Sequence, residues 1–351
     1  MSIRRVANPP NPYVAAHREW LDEPPRVEIE LYEERARSIL SHNDSPDLPF
    51  RHSLNPYRGC QHACGYCYAR PTHEYLGLGA GTDFDSKITV KINAPELLRA
   101  ELARPSWRHE GIAFSGVTDC YQPLEVVYRL TRRCLEICGE FETPFSIVTK
   151  SFLVARDAEL LASVRRSSGV HVYMSIAFAD DALARRVEPG APPPSRRFEA
   201  MRRLRDAGVP VSVFVAPIIP GLNDREIAKV LAKAAACGAE SAGYTALRLP
   251  GSVRDVFLAR LREALPHHAA RVEARIRDIH GGKLNEWRFG KRMNGEGTYW
   301  RSVKQLFEQS ARRAGLRVAG ARETGQESGE SAACPRADAG CGSVQLPLFS
   351  E

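Results

Sequence analysis

The chain has 351 residues, of which 43% are hydrophobic and 26% charged, an ordinary globular composition with enough apolar side chains for a large core. It contains no apolar run long enough to span a bilayer, nine cysteines (an odd number), and an N-terminus, Met1 to Pro10, without the apolar stretch of a signal peptide. These features argue against a membrane protein and a secreted disulfide scaffold and set the expectation of a cytoplasmic protein. The 49 Lys and Arg against 42 Asp and Glu leave a formal net charge of +7, which suits a solvated surface and a nucleic-acid face about equally.

In chain order, residues 1–50 carry proline pairs and an acid-rich stretch from Glu19 to Glu34, and are expected as an extension packed loosely on the core. The next run is Asn55-Pro-Tyr-Arg-Gly-Cys60-Gln-His-Ala-Cys64-Gly-Tyr-Cys67-Tyr68. Thiolates at this C-x3-C-x2-C spacing can hold three irons of a [4Fe–4S] cluster, which leaves the fourth iron open to a small molecule. A structural zinc site stays open as an alternative, with His62 or His73 as fourth ligand, although zinc sites usually draw on two separated pairs. A disulfide suits a reducing compartment poorly, and three inert cysteines suit a glycine-rich loop poorly.

Strands then alternate with helices. Ile112–Phe114 reads as a strand ending in the polar turn Ser115-Gly-Val-Thr-Asp119. Leu124 to Phe141 has helical apolar spacing through Val127, Leu130, Cys134, Leu135 and Cys138. Phe145–Thr149 is a β-rich run closed by Lys150, Asp157 to Val164 a helix with Asp157 placed to cap it, and Val170 to Ile176 a strand. A helix from Ser195 to Ala207 stopped by Gly208, a strand from Val209 to Ile219, a helix from Asp224 to Ala236 and a strand from Ser241 to Leu249 complete the series. Such alternation means parallel strands with crossover helices, hence an α/β chain with a partial (β/α)6 TIM-type barrel. Chemistry in such barrels sits at the strands' C-terminal ends, where the cysteine triplet, Asp119, Lys150 and Pro217 all fall.

From about Ser252 to Leu316 helices dominate, and Arg271, Arg275, Arg277, Arg288, Lys291, Arg292, Arg301 and Lys304 crowd the segment. Within it, residues 280–297 mix five glycines with basic and aromatic residues, which fits a helix–loop–helix connection or a basic lid that tracks a phosphate backbone. The tail from 319 is rich in Gly, Ser and Glu and is expected to be disordered. The expected division is thus an extension over 1–50, a barrel over 51–250, a helical C-terminal region over 251–318 and a tail over 319–351.

The cysteine triplet with Tyr66 before its last member resembles the radical S-adenosylmethionine (SAM) superfamily. Asn-Pro-Tyr-Arg-Gly-Cys60 and Gly-Tyr-Cys67-Tyr-Ala resemble its branch related to spore photoproduct lyase, also called DNA-repair-photolyase-like. The likeness runs from about Leu54 to Leu316. It implies a lyase-like radical SAM enzyme whose Cys60, Cys64 and Cys67 ligate the cluster, with SAM chelated at the open iron. One electron, from a donor such as flavodoxin or ferredoxin, would cleave SAM to methionine and a 5′-deoxyadenosyl radical that abstracts hydrogen from substrate. By the same resemblance Tyr66 and Pro217 would meet adenine. Ser115, Gly116, Thr118 and Asp119 would form the turn for the methionine amino group, Lys150 would meet the SAM carboxylate, and Ser175 the ribose. Each also has a plainer reading, as core packing, a turn residue or a solvated strand end.

Tyr66 and Tyr68 match tyrosines implicated in relaying a hydrogen atom in spore photoproduct lyase. That lyase also uses a cysteine donor just before a Thr-Ser-Asp stretch. Here Gly116-Val117-Thr118-Asp119 takes that place and Cys120 lies beyond Asp119, so the SAM-cleaving half of the chemistry is expected to carry over and the thymine-dimer half is not. Cys134, Cys138 and Cys237 read as core residues, and Cys334 and Cys341 lie in the tail. The chain closes on Gln345-Leu-Pro-Leu-Phe349, which resembles peptides that dock repair proteins onto the bacterial sliding clamp. The leading expectation is a radical SAM enzyme on a nucleic-acid lesion or base. A radical SAM enzyme on a peptide or small molecule, and a DNA-associated iron–sulfur protein without catalysis, are the alternatives.

Overall fold

A computed structural model describes residues 28–318; the expectations for residues 1–27, for the tail with Cys334 and Cys341, and for the Gln345–Phe349 peptide lie outside the described residues. Eleven strands occur among the described residues: β1 (Glu30–Glu34), β2 (Leu40–His42), β3 (His52–Leu54), β4 (Tyr57–Arg58), β5 (Lys87–Lys91), β6 (Ile112–Phe114), β7 (Phe145–Thr149), β8 (Val170–Ser175), β9 (Val211–Ile218), β10 (Ser241–Ala246) and β11 (Arg317–Val318). The main sheet has the order β11-β10-β9-β8-β7-β6-β3-β2, and every pairing in it is parallel except that of β2 with β3. Strands β3, β6, β7, β8, β9 and β10 are therefore the six parallel strands of the expected partial barrel, with helices in the crossovers, while β1, β5 and β4 form a separate sheet.

Alternation along these strands explains how one sheet makes both a core and an open interior. Phe145 and Ile147, Val170, Val172 and Met174, and Val211, Val213 and Val215 point under the helices and are buried. Of their alternates in β7 to β9, Val148, His171, Tyr173 and Phe214 are half-buried on the other face, where Tyr173 stacks on Phe214 at 4.7 Å. Six strands do not close a barrel, so the interior stays accessible from one side.

Several local expectations change. The helix expected over Leu124 to Phe141 is two helices, Glu125–Tyr128 and Leu130–Glu140, because Arg129 adopts φ +51°. The buried Glu125 carboxylate accepts the Thr131 and Arg132 amides and so starts the second helix afresh. Cys134 and Cys138 on that helix are core residues, as expected. Asp157 precedes the helix Ala158–Val164 but does not cap it with its side chain, which is engaged by Arg132, Arg156 and Tyr121. Residues 28–50, expected to pack loosely, supply β1, which pairs along its whole length with β5, and Ile39, which is buried in the core. Beyond the barrel the helices Val253–Ala264 and Pro266–Ile279 pack Val253, Phe257, Val272 and Ile276 into a second apolar cluster that includes Cys64 and Tyr66. Among the described residues no helix is long and apolar enough to cross a membrane.

Candidate functional site

The cysteine loop leaves the C-terminal end of β3 and runs through three successive turns, closed by the Ala63 amide on the Cys60 carbonyl (3.2 Å), Cys67 on Cys64 (3.2 Å) and Arg70 on Cys67 (3.3 Å). Each turn presents one thiol. All three are free, and they lie within electrostatic reach of one another. Gly59 opens the loop at φ +78°, where a side chain would strike Ile88 and the Lys87 carbonyl. Burial pushes the Cys60 and Cys67 thiols up and takes Cys64 up to about 12, so their ligation of a metal as thiolates must release protons.

The loop's outer side is clamped by charge. The fully buried Arg70 donates to the Cys64 carbonyl (2.8 Å), to the carbonyls of Ala80 and Gly81, and to Asp85. Arg260, from the helix Val253–Ala264, donates to the Ala63 carbonyl (2.8 Å) and to the same Asp85. Gln122 closes the other side, donating its Nε2 to the Gly59 carbonyl (3.1 Å) and accepting the Gln61 amide at its Oε1 (3.1 Å). None of Arg70, Asp85, Gln122 and Arg260 is marked by a sequence motif.

The donor set fits an iron–sulfur cluster. Iron–sulfur clusters take cysteine thiolates as ligands, and three cysteines on successive turns supply that chemistry. Of the histidines of the zinc reading, His73 Nε2 meets the Lys87 carbonyl (2.9 Å) and His62 Nδ1 faces Asp119 (3.4 Å), while His73 Nδ1 and His62 Nε2 are buried with no hydrogen-bond partner.

The other expected site residues lie along the same rim, and the structure sorts them by what they touch. Lys150 Nζ donates to Ser175 Oγ (3.1 Å) and lies 5.7 Å from the centre of the Tyr66 ring, so the ends of β7 and β8 meet the cysteine loop there. Ser175 Oγ also reaches the carbonyl of Ala216, the residue before Pro217 on β9 (3.2 Å). The buried Asn223, which carries no motif, holds the Pro217 and Ala177 carbonyls with its amide group.

The turn after β6 is tightly committed to itself. Asp119 accepts from Thr149 Oγ1 (2.7 Å), the Tyr121 amide (2.9 Å) and the Lys150 amide (2.8 Å), with His62 beside it. Burial alone would raise its carboxyl, but His62 and these hydrogen bonds hold it at about 2. Three hydrogen bonds and the His62 contact thus engage Asp119, which fixes the backbone of Lys150. Thr118 Oγ1 donates to the Tyr57 carbonyl (3.0 Å) and accepts from Asn55, and Ser115 Oγ accepts the Cys120 amide (3.2 Å). The Cys120 thiol is fully buried in the main core, where it accepts from Ser115 Oγ (3.2 Å). The Gly116 carbonyl accepts from the Tyr68 hydroxyl (2.6 Å), and Tyr68 is half exposed at the mouth.

The basic loop lies beside that mouth. The Ala246 amide at the end of β10 donates to the Met293 carbonyl (3.0 Å), and Leu249 to Asn285. Asp47 accepts from the Gly290 amide (2.6 Å) and pairs with Arg292. The loop is pinned at both ends while Trp287 and Phe289 are 73% and 59% exposed. Arg292 lies over the Phe289 ring at 4.3 Å, and Arg248 interacts electrostatically with both Tyr68 and Arg292.

Residues 54–234 match the family described as the radical SAM superfamily. Uncharacterized proteins of Mycobacterium bovis and Mycobacterium tuberculosis are 43% identical over 226 residues, which is 64% of this chain; the chain thus spans 66% of the length of these relatives. A radical SAM Nα-GlyT isomerase of Pseudomonas phage M6 is 27% identical over 169 residues, 48% of this chain and 33% of the phage protein. Spore photoproduct lyase complexed with dinucleoside spore photoproduct has a similar fold, with a TM-score of 0.60 and 16% identity over 82% of this chain and 81% of the lyase chain.

Proposed function

The chain belongs to the radical SAM superfamily, and on that premise we propose that it is a radical SAM enzyme whose Cys60, Cys64 and Cys67 hold a [4Fe–4S] cluster at which SAM is cleaved for chemistry on a nucleic-acid base or lesion. The observation that carries this reading is the placing of three free thiols, on successive turns, beside the Lys150–Ser175–Tyr66 contact at the barrel rim. When bound and reduced, the cluster with SAM supplies a 5′-deoxyadenosyl radical.

This chain's residues bind and orient. The Lys150 ammonium suits the SAM carboxylate, and Asp119 holds Lys150 in place through its backbone. Ser175 is set for the ribose, Tyr66 and Pro217 for the adenine side, and the Ser115–Thr118 turn lines the amino end. Tyr68, with its hydroxyl on the Gly116 carbonyl at the mouth, is suited to pass a hydrogen atom between the radical and a substrate. A small acidic electron donor such as flavodoxin or ferredoxin would supply the electron.

Two features support a nucleic-acid substrate over a peptide. Exposed Trp287 and Phe289 offer faces on which unpaired bases can stack, and the half-exposed Arg288 and Lys291 beside them, paired here with Glu286 and Glu296, can meet phosphates. The structurally similar lyase is described with a dinucleoside photoproduct. Docking of Gln345–Phe349 on a sliding clamp belongs to the same reading as a sequence argument; absence of binding by that peptide at high micromolar concentration would remove it.

The test is anaerobic incubation with SAM and dithionite, with irradiated oligonucleotide, undamaged oligonucleotide or a peptide pool. The expected result is 5′-deoxyadenosine whose yield rises only with nucleic acid, together with an altered base. Stimulation by peptide alone would reject the substrate class, and no 5′-deoxyadenosine under any condition would reject the whole reading.

A further inference from the structure

The geometry points to Glu188, with Arg197, as the pair that positions Tyr66 between two of the cysteines and so sets the affinity for SAM; this rests on the reading that the cysteine loop holds the cluster. The segment 187–192, which follows the helix Asp181–Val187, is docked backbone to backbone on the cysteine loop. The Gly65 amide donates to the Val187 carbonyl (3.0 Å) and the Gly190 amide to the His62 carbonyl (3.1 Å), one bond on either side of Cys64. A side chain at Gly190 would run into the Gln61 carbonyl, so the approach needs glycine.

Between these two bonds stands Glu188, almost wholly buried. Its Oε1 accepts the Tyr66 hydroxyl and its Oε2 accepts the guanidinium of Arg197, which is itself fully buried. Arg197 donates onward to the Ser175 carbonyl (3.0 Å) and the Pro192 carbonyl (2.7 Å). One carboxylate therefore ties the aromatic residue of the cysteine loop to the end of β8, and the Tyr66 ring in turn faces Lys150, which bonds Ser175.

Stability alone does not call for this arrangement. A buried ion pair is often no better than apolar side chains of the same volume, and phenylalanine at 66 would fill the same space without a polar group to satisfy. Orientation is what the pair adds. The Tyr66 ring cannot turn or withdraw without breaking its bond to Glu188, and the residues expected to touch SAM, from the loop, β7 and β8, are held in one register.

The test uses the full chain, reconstituted anaerobically, in four forms: wild type, Tyr66→Phe, Glu188→Met with Arg197→Met, and all three changes together. Each is measured for iron per chain, unfolding midpoint and SAM affinity read from the shift of the cluster's electron paramagnetic resonance signal. The double methionine variant removes both buried charges and so leaves none unpaired. The inference predicts iron content near wild type for Tyr66→Phe and the double variant, with the midpoint lowered in each by the one buried group left unpaired, a Glu188 oxygen or the Tyr66 hydroxyl. SAM affinity should fall roughly tenfold or more in each, with little further loss when the changes are combined. SAM affinity within about twofold of wild type in Tyr66→Phe would overturn it, whether or not the methionine variant folds. So would additive losses, or losses that merely follow iron content. A wild-type chain that takes up no iron would instead overturn the reading on which the inference rests.

Discussion

Asp119 gathers the Thr149 hydroxyl, the Tyr121 and Lys150 amides and His62 around one carboxylate, and its removal shows what such a residue does. In Asp119→Asn the amide nitrogen can face only one set of these donors as a donor itself, leaving a buried N–H unpaired. The expected cost is about 1–3 kcal/mol in denaturant unfolding of the metal-free chain, with SAM affinity lowered through the displaced Lys150. His73 gives a pH dependence of known sign. Burial, only partly offset by the Lys87 carbonyl, lowers its pKa below the ordinary 6.5, and His171 and His280 are lowered by burial too. The unfolded chain therefore binds these protons first, and stability falls as pH drops through 6.5 toward the folded values. His73→Gln should remove one proton from the slope, about 1.4 kcal/mol per pH unit at most, in unfolding free energies measured between pH 7 and 5. An unchanged slope would contradict the buried neutral histidine.

At the scale of elements, the cysteine loop is held by parts distant in sequence: Arg70 and Asp85 from the segment after it, Gln122 after β6, the 187–192 segment, and Arg260 from the C-terminal helices. Asp85→Ala would leave the Arg70 and Arg260 guanidiniums buried without their shared partner. It should destabilise the chain by about 3–5 kcal/mol and lower iron uptake; a loss below about 1 kcal/mol in chemical unfolding would count against the clamp. Much of the element pattern was legible because β7 to β10 and their helices are long enough for periodicity to show, and the short β6 is apolar at all three positions. The three-residue β3, with Leu54 its one apolar side chain, was not, and neither was β5, whose partner β1 lies more than fifty residues earlier. The break at Arg129 depends on the buried Glu125, and the side chain of Asp157 is drawn away from its helix by arginines. Those are tertiary choices that local propensity cannot carry. The site divided in the same way. The cysteines, Tyr66, Lys150 and Ser175 belong to a spaced motif or a strand end, whereas Glu188, Arg197 and Arg260 look in sequence like any solvated charge.

Across the whole molecule, the rim of the partial barrel, the cysteine loop and the pinned basic loop lie on one side, with Arg248 electrostatically coupled to both Tyr68 and Arg292. The loop's two kinds of residue should separate in binding to a single-stranded oligonucleotide. Trp287→Ala should weaken binding by about 1–3 kcal/mol with the salt dependence kept, because stacking is lost and phosphate contacts are not. Lys291→Ala should lower the slope of log K against log salt by about 0.7. Equal effects on slope from both, or none from either, would move the contact surface elsewhere. The claim beneath all of this is that Cys60, Cys64 and Cys67 carry a site-open cluster. Iron and acid-labile sulfide analysis of anaerobically reconstituted chain, paired with spectra recorded before and after SAM addition, addresses it most directly. The account predicts about four irons and four sulfides per chain, lost in each cysteine-to-alanine variant, and a reduced-cluster signal that shifts when SAM is added. Zinc in place of iron, or a cluster signal indifferent to SAM, would contradict it.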